Sequence, residues 1–523
     1  MDTKALRQKV LDLAIRGKLV PQDPNDEPAS VLLARIRQQK QQMVKEGKLK
    51  AKDIKNDTII FVGEDNLHYE KFADGSVKCI EDEVPFGLPD GWAWVRLGNL
   101  SAAIQYGLSN SAEPQGTHRL LRITDIQDGK VDWNAVPFTT VNDPEAYLLK
   151  TGDIVFARTG ATVGKSFLIT ETPYPSVYAS YLIRIRLLGS LSPEYIYQFF
   201  DSACYWSQIT DKSVGVGQPN CNGTSLKELF IPLPPISEQL RIVPTAQALL
   251  AYVAKIDAEK KSLLSIIMAT KSKILDLAIR GQLIPQDPND EPASVLLERI
   301  RAEKEEIIKQ GKIKRDKKES VIFRGEDNSY YEKMADGKLH CLDDQLPFEL
   351  PDGWEWCNLS MIGTTNIGLT YRPTDIEPGG IMVLRSCNIV NDQVDLNDLV
   401  RVKTTVRENQ FAQKNDILIC ARNGSRSLVG KCALIPDLGE PASFGAFMAI
   451  YRTEYFEFIV HYLRSSFFRS VFDDSNSTAI NQLTQDMLKR AIVPLPPLSE
   501  QRRIVEAIGA MLFELNQIEK SLS

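Results

Sequence analysis

The sequence predicts an α+β protein: two similar mixed modules separated by a long antiparallel two-helix coiled coil, pseudo-two-fold and circularly arranged. Three observations predict it. First, the chain says nearly the same thing twice. LDLAIRGKLVPQDPNDEPASVLLARI begins at Leu11, and LDLAIRGQLIPQDPNDEPASVLLERI begins at Leu275. GEDN recurs at Gly63 and Gly325, LPDGW at Leu88 and Leu350, and PLPP-x-SEQ at Pro232 and Pro494. A period near half the chain is a duplicated domain, since solenoid units are far shorter. Second, apolar residues recur at heptad spacing for about six repeats after the first PLPP-x-SEQ. Third, Ile242 to Lys261 aligns with Ile504 to Ser523, while Ser265 onward aligns with Met1 onward. Only Ser262, Leu263 and Leu264 lack a counterpart, so the ends join like a third copy of the middle.

The long helix is expected from Ser237 to about Gly281. Its seam takes Ile242, Ala246, Leu249, Val253, Ile256, Lys260, Leu263, Ile267, Thr270, Ile274 and Leu277, in steps of four and three. Ser237 is the expected N-cap and Gly281 the C-cap, with Glu238 near the positive end of the helix dipole. About 43 residues make a rod of roughly 65 Å. Pro234 and Pro235 precede it as a rigid elbow, and Pro244 lies in its first turns. A proline-rich bend then leads to a shorter charged helix capped by Ser294 and ending near Gly311, matched near the N-terminus by SVLLARIRQQKQQMVKEGKLK.

Each module opens with hairpin-like text, with Asp-Gly turns at Asp74 and Asp336. Trp92 and Trp94 are expected on one strand face. LLRITDIQDGKVDW, GDIVFARTGATVGKSFLI and VYASYLIRIRL read as short strands with glycine turns, and SPEYIYQFFDSACYWSQI as one helix. The copies diverge between Ser101 and His118 against Met361 to Pro378, and between Tyr205 and Gly223 against Phe467 to Gln485. One scaffold with two private loop sets suits reading two different things with one geometry.

The expected boundaries are an N-terminal helical region at 1–50, a first module at 51–235, the central helix and spacer at 236–312, a second module at 313–497 and a C-terminal helix at 498–523. Composition is that of an ordinary soluble chain: 43% hydrophobic and 25% charged residues support packed cores. No apolar run is long enough to span a membrane, and no secretory leader is legible. Eight cysteines without CxxC spacing read as reduced thiols in a cytosol, and the matched Cys79 and Cys341 as small core residues. A net charge of −6 argues against a broad electrostatic grip on nucleic acid, yet leaves room for a local basic groove.

Several chemistries find no signature in the sequence. GATVGKS at Gly160 has three residues where a phosphate loop needs four, and the second copy has five and Cys432 in place of the hydroxyl. A turn between strands is the better reading. The histidines, His68, His118, His340 and His461, do not pair at ligand spacing, so no metal site is expected. No cofactor loop or NPPY-like tetrapeptide marks a methyltransferase. Arg158 and Arg422 follow matching strands at the mouths of glycine turns, where an arginine can fork onto guanine, clamp a phosphate or make a surface ion pair. The private loops carry amides that can read adenine or belong to ordinary flexible loops.

At IPLPPISEQLRIV, VPLPPLSEQRRIV, QPNCNGTSLKELFIPLPP and GDIVFARTGATVGKS, over essentially the whole chain, the sequence resembles the specificity subunit of type I restriction–modification systems. The LDLAIRGKLVPQDPNDEPASVL block is similar to one branch of that family. The resemblance implies two target-recognition domains, a subunit not catalytic alone, and a cytoplasmic setting without membrane contact. It implies double-stranded DNA as target, two methyltransferase subunits using S-adenosylmethionine to modify adenine, and two motor-nuclease subunits using ATP and Mg²⁺; no cofactor is expected in this chain. Expected DNA-binding residues are Gln105, Tyr106, Arg158, Thr159, Lys165, Lys212, Gln218 and Asn220 in one module. In the other they are Arg372, Arg422, Asn423, Arg426, Asn476, Asn481 and Gln482. Expected partner-binding helix positions are Leu249, Val253, Ile256, Leu263, Ile267, Ile274, Leu277, Leu512 and Leu515. A coiled-coil adaptor with two peptide-binding modules, or a self-sufficient methyltransferase, are the alternative classes.

Overall fold

The computed structural model describes residues 2–127, 129–212, 220–311, 320–473 and 482–522. The chain divides into two compact units, Met1–Lys260 and Lys261–Ser523. One helix, Ile236–Ile279, 44 residues long, begins in the first and ends in the second. It passes through Pro244 unbroken, because a proline in the first turns forfeits little of the hydrogen-bond ladder.

In the first unit the central sheet runs Ser166–Leu168, Ile154–Ala157, Leu182–Leu187, Ser101–Tyr106, all antiparallel neighbours. Ile154–Ala157 is buried at all four positions, as its unbroken apolar run demands. Successive side chains leave a strand on opposite faces. Ile154 and Phe156 therefore join the core shared with Val10, Ala14, Ile242 and Ala246 of the helices, while Val155 and Ala157 pack with Leu121, Trp133 and Tyr178. Ile417–Cys420 repeats this in the second unit: Ile417 and Ile419 face Ile504 and Ile508, while Leu418 and Cys420 face Met382 and Phe444. At the base of each strand an aspartate is buried against an arginine, with Arg186 Nε 2.7 Å from Asp153 and Arg452 Nε 2.6 Å from Asp416.

The units differ at one sheet edge. In the second, Gln393–Val394 adds in parallel to Cys432–Leu434 and makes a six-stranded sheet. In the first, the corresponding hairpin Ile126–Gln127 and Lys130–Val131 forms its own two-stranded sheet. A cavity of about 440 Å³ there is lined in part by Lys130, Trp133, Phe167 and Gln198.

Each unit brings a terminal helix to part of the long helix. Thr3–Ile15 reaches the first half of the long helix, with Thr3 Oγ1 donating to Asp257 at 2.7 Å, and its Val10 and Ala14 share one core with Ile242 and Ala246. In the second unit the end of the long helix meets Leu498–Leu522, with Lys271 paired to Glu519 and Ile274 in one core with Ile504. Along the seam Ile242, Ala246, Val253, Ile267 and Ile274 are buried, Ile256 and Leu277 half-buried, and Leu249 and Leu263 exposed. Leu512 and Leu515 are half-buried.

The three repeated sequence blocks converge on one buried carboxylate per unit. Glu238, from PLPPISEQ, is 1% exposed and accepts from the Trp92 indole N–H of LPDGW at 2.8 Å and from Gln22 of PQDPND at 3.3 Å. Glu500 accepts from Trp354 at 3.0 Å and from Gln286 at 3.2 Å. Arg241 and Arg503, one turn on, pair with Asp26 and Asp290. The elbow is tied as well: Gln239 and Gln501 donate to the carbonyls of Pro234 and Pro496 at 3.0 and 2.9 Å. Gly17 and Gly281 need their glycine identity twice over. Each has positive φ, and a Cβ there would stand 2.5 and 2.4 Å from Pro89 and Pro351 of LPDGW.

Four expectations need correction. Cys79 and Cys341 are exposed. They lie on Val77–Cys79 and Leu339–Cys341, outer strands of small three-stranded sheets, and the buried residue is the next one along, Ile80 or Leu342. The helix expected over 192–209 is two, Pro193–Phe199 and Ala203–Lys212, because the Ser202 hydroxyl accepts from Tyr205 N–H and starts a second helix. Ser237 and Ser294 are not caps. The helices start one residue earlier, at Ile236 and Ala293, and the Ala293 N–H is taken by Gly353 O. Trp92 and Trp94 serve separate clusters, since Trp92 precedes the strand Ala93–Arg96 and turns to the helices while Trp94 packs on Phe230.

Two outcomes are expected. Trp92→Phe keeps the ring but strands a buried carboxylate, costing about 1–3 kcal/mol. Trp94→Phe, which loses only a bond to the Phe86 carbonyl, costs less; denaturant melts of the full chain compare them. Burial pushes the Glu238 carboxyl above its ordinary value of 4.5, against the pull of its Trp92 and Gln22 donors. The folded state then holds that proton more tightly than the unfolded one, so its contribution is fully present below pH 4.5 and lost as pH rises through the folded value. The melting temperature of Glu238→Gln, relative to the parent, should climb as pH is raised from 4.5 to neutrality.

Candidate nucleic-acid interface

The candidate site in each unit is the corner where the buried central strand ends. In the first, the chain leaves Ile154–Ala157 at Arg158, turns tightly through Gly160–Thr162 and returns as Ser166–Leu168. This is the strand-to-strand turn expected in place of a phosphate loop. Arg158 is pinned by its backbone: its N–H donates to Tyr181 O at 3.1 Å, and its carbonyl accepts from Cys221 N–H at 2.9 Å. Its guanidinium lies 4.9 Å from the Tyr106 ring centroid, and its buried Nε has no hydrogen-bond partner. Thr159 bridges to Asn220, which is exposed. Tyr106 ends the strand Ser101–Tyr106, and its hydroxyl accepts from Gly223 N–H at 2.9 Å, where Asn222 caps the short helix Gly223–Lys227. The corner thus gathers Tyr106, Arg158, Thr159 and Asn220.

Other expected residues stand differently. The Gln105 amide oxygen accepts from the buried Arg184 at 2.7 Å, across the strand pair, which gives it a role inside the sheet. Lys165 is exposed on the returning limb of the turn. Lys212 ends its helix and pairs with Glu228 at 3.2 Å. Gln218 lies outside the described residues.

The second corner keeps the same frame, with its arginine one residue later and its turn three residues longer. Cys420 N–H donates to Lys431 O as Ala157 N–H donates to Lys165 O, and Leu483 N–H donates to Ala421 O as Cys221 N–H donates to Arg158 O. Ala421 is therefore the backbone equivalent of Arg158, and Arg422 that of Thr159. Arg422 bridges to Gln482, as Thr159 does to Asn220. Since successive residues of extended chain point oppositely, the two arginines leave their corners in different directions. Arg158 is half-buried over Tyr106, whereas Arg422 is exposed, 5.5 Å from the Phe447 ring centroid. Asn423 is drawn to Ser386 and Ser425, and Arg426 is exposed at the head of the turn Arg426–Leu428. Arg372, exposed, opens the turn Pro373–Asp375, its N–H donating to Asp375 at 2.7 Å. Asn476 and Asn481 lie outside the described residues.

Two residues went unremarked in the sequence. Tyr181 and Phe447 each accept from the corner's backbone N–H, Tyr181 from Arg158 and Phe447 from Ala421 and Arg422, yet are 65% and 61% exposed. Their signal lay in YASYL and FGAFM, where an aromatic residue recurs immediately before the strand.

These corners offer arginine forks, amides and flat rings, the side chains that read base edges and faces. Among the described residues no group of three His, Cys, Asp or Glu is placed to hold a metal, and no helix is long and apolar enough to cross a membrane.

Comparison with known proteins identifies the family. The profile of the type I restriction modification DNA specificity domain matches residues 89–266 and again 351–522. The chain is similar to the type I restriction enzyme EcoAI specificity subunit of Escherichia coli, 28% identical over 99% of this chain and 90% of that subunit. It is likewise similar to the EcoEI specificity subunit of the same organism, 26% identical over the same shares. A chain solved in a study of the assembly and conformational transition of the type I R-M system shares the fold. That match has a TM-score of 0.52 and 19% identity, and covers 84% of this chain and 94% of that one. One matched region falls on each copy of the duplication, and the chain belongs to the type I restriction–modification DNA specificity family.

Proposed function

We propose that each unit reads one half of an asymmetric, bipartite DNA target, with its corner set in the major groove. The chain is a DNA specificity subunit with two recognition domains, and its part in the system is non-catalytic. The observation that carries the finer reading is the pair of corners. Equivalent backbones hold Arg158, Thr159 and Asn220 in one and Ala421, Arg422 and Gln482 in the other. A shared frame with unlike donors presents two different hydrogen-bond patterns to two different base sequences.

In this reading the recognition domains span 51–235 and 313–497, with 1–50, 236–312 and 498–523 as the helical framework. The framework forms an antiparallel two-helix coiled coil that sets the distance between the half-sites and relates them by a pseudo-two-fold axis. The helix positions Leu249, Val253, Ile256, Leu263, Ile267, Ile274, Leu277, Leu512 and Leu515 serve helix pairing and partner docking. The partners are two methyltransferase subunits and two motor-nuclease subunits working in the cytoplasm on double-stranded DNA. Methyl transfer and ATP-driven cleavage belong to them.

Single-molecule sequencing of DNA modified by the assembled methyltransferase should show two unlike half-sites with an unread gap, their centres about 10 to 10.5 base pairs apart. A contiguous or palindromic motif would refute the reading. Arg422→Ala should relax one base position in one half-site, by about 1–3 kcal/mol of discrimination, and leave the other half-site unchanged. Inserting seven residues in register after Lys260 adds about 10 Å of helix. The gap should then widen by about three base pairs while both half-sites stay the same.

A further inference from the structure

We infer that Tyr181 and Phe447 are a matched pair of wedges, each stacking on the base face exposed when a methyltransferase partner draws the target base out of its half-site. This rests on the half-site reading above.

The two rings occupy one structural position. Tyr178, Ala179, Ser180 and Tyr181 answer to Phe444, Gly445, Ala446 and Phe447. Ala179 bridges in parallel to Leu108 and Gly445 to Leu369, while Leu182 N–H donates to Ala179 O and Met448 N–H to Gly445 O. The surrounding loops are private to each copy, so a ring kept at this point in both is shared by more than chance alignment of loops. Burial does not explain it, since both rings face solvent and the fold gains little from them. The hydroxyl does not explain it either, because Phe447 has none. What the pair has in common is a flat apolar face.

The backbone under each ring is rigid. The carbonyls of Tyr181 and Phe447 are held by the N–H groups that follow the central strand, and the next residues enter the strands Leu182–Leu187 and Met448–Arg452. A wedge on a fixed backbone loses little entropy on insertion. The ring also projects from the corner where Arg158 and Asn220, or Arg422 and Gln482, gather. A second apolar side chain stands at the neighbouring strand end, Tyr106 in one unit and Ile367 in the other, 39% and 41% exposed.

Stacked duplex offers no open base face, so a flat ring needs an unstacked step. Enzymes that modify a base take it out of the helix and pay to unstack it. Apolar side chains inserted at such steps repay part of that cost. One ring per unit matches the one half-site that each unit reads.

The test uses the full chain assembled with its methyltransferase subunits, on a duplex of the mapped site with 2-aminopurine at one target base at a time. Tyr181→Ala should reduce the fluorescence rise on binding about tenfold in one half-site only, and Phe447→Ala in the other, as expected for losing a base stack. Tyr181→Phe and Phe447→Tyr should keep the rise. A mismatch opposite the target base, which lowers the cost of opening, should restore it in both alanine variants. An unchanged rise, equal losses at both half-sites, or no recovery on mismatched DNA would overturn the wedge. So would loss of assembly with the methyltransferase, which would make these rings a protein-docking surface. Failure of the half-site reading would show separately, as a parent motif that is not bipartite.

Discussion

The architecture depends on a carboxylate kept out of water. Glu238 and Glu500 are each 1% exposed, and an unpaired buried charge would be far too costly to hold. Each is held because an indole N–H and an amide N–H converge on it from segments remote in sequence. The requirement runs both ways. The carboxylate needs the LPDGW tryptophan and the PQDPND glutamine, and so the helix start, the strand entry and the proline-rich bend are fixed together. Arg241–Asp26 and Arg503–Asp290 close the same joint from its wetter side. With the joint set, the elbow aims the helix, and the central strand ends where the candidate reading residues sit.

Around this joint the two units keep their backbones alike and let their surfaces differ. The one-residue shift that sets Ala421 where the other unit has Arg158 shows how little is needed. It leaves the hydrogen bonds of the corner in place and turns an arginine from half-buried to exposed. The separate hairpin Ile126–Gln127 and Lys130–Val131, against the strand that completes the second sheet, is a second difference of this kind. Sequence variation here acts on what the surface presents while the core contacts persist.

Much of the frame was legible in the sequence because it is periodic or repeated. The heptad seam, the doubled blocks, the Asp-Gly turns and the elbow all rest on local rules of spacing and backbone freedom. The errors have local causes too. Cys79 and Cys341 look like core residues by type, but a one-residue difference in register decides which side of a strand is buried, and Ile80 and Leu342 took the inside. The break at Ser202 turns on a hydroxyl competing for a backbone N–H, which helical periodicity does not register. The candidate site was legible only in part. Arg158 and Arg422 stood out by their place after a strand, whereas Gln105 proved tied to a buried arginine, a tertiary fact. Tyr181 and Phe447 were hidden because an aromatic residue inside an apolar run looks like core.

Because the joint is made of the same parts in both units, its components are interchangeable in principle. The tryptophan of one LPDGW faces the same glutamate, glutamine and glycine as the other. A gene crossed over within the repeated blocks would still encode a tryptophan with a carboxylate to meet and a glycine to lie against. Such a hybrid would keep a sound hinge while carrying a different reader, so new pairings of readers could arise without a new framework having to evolve.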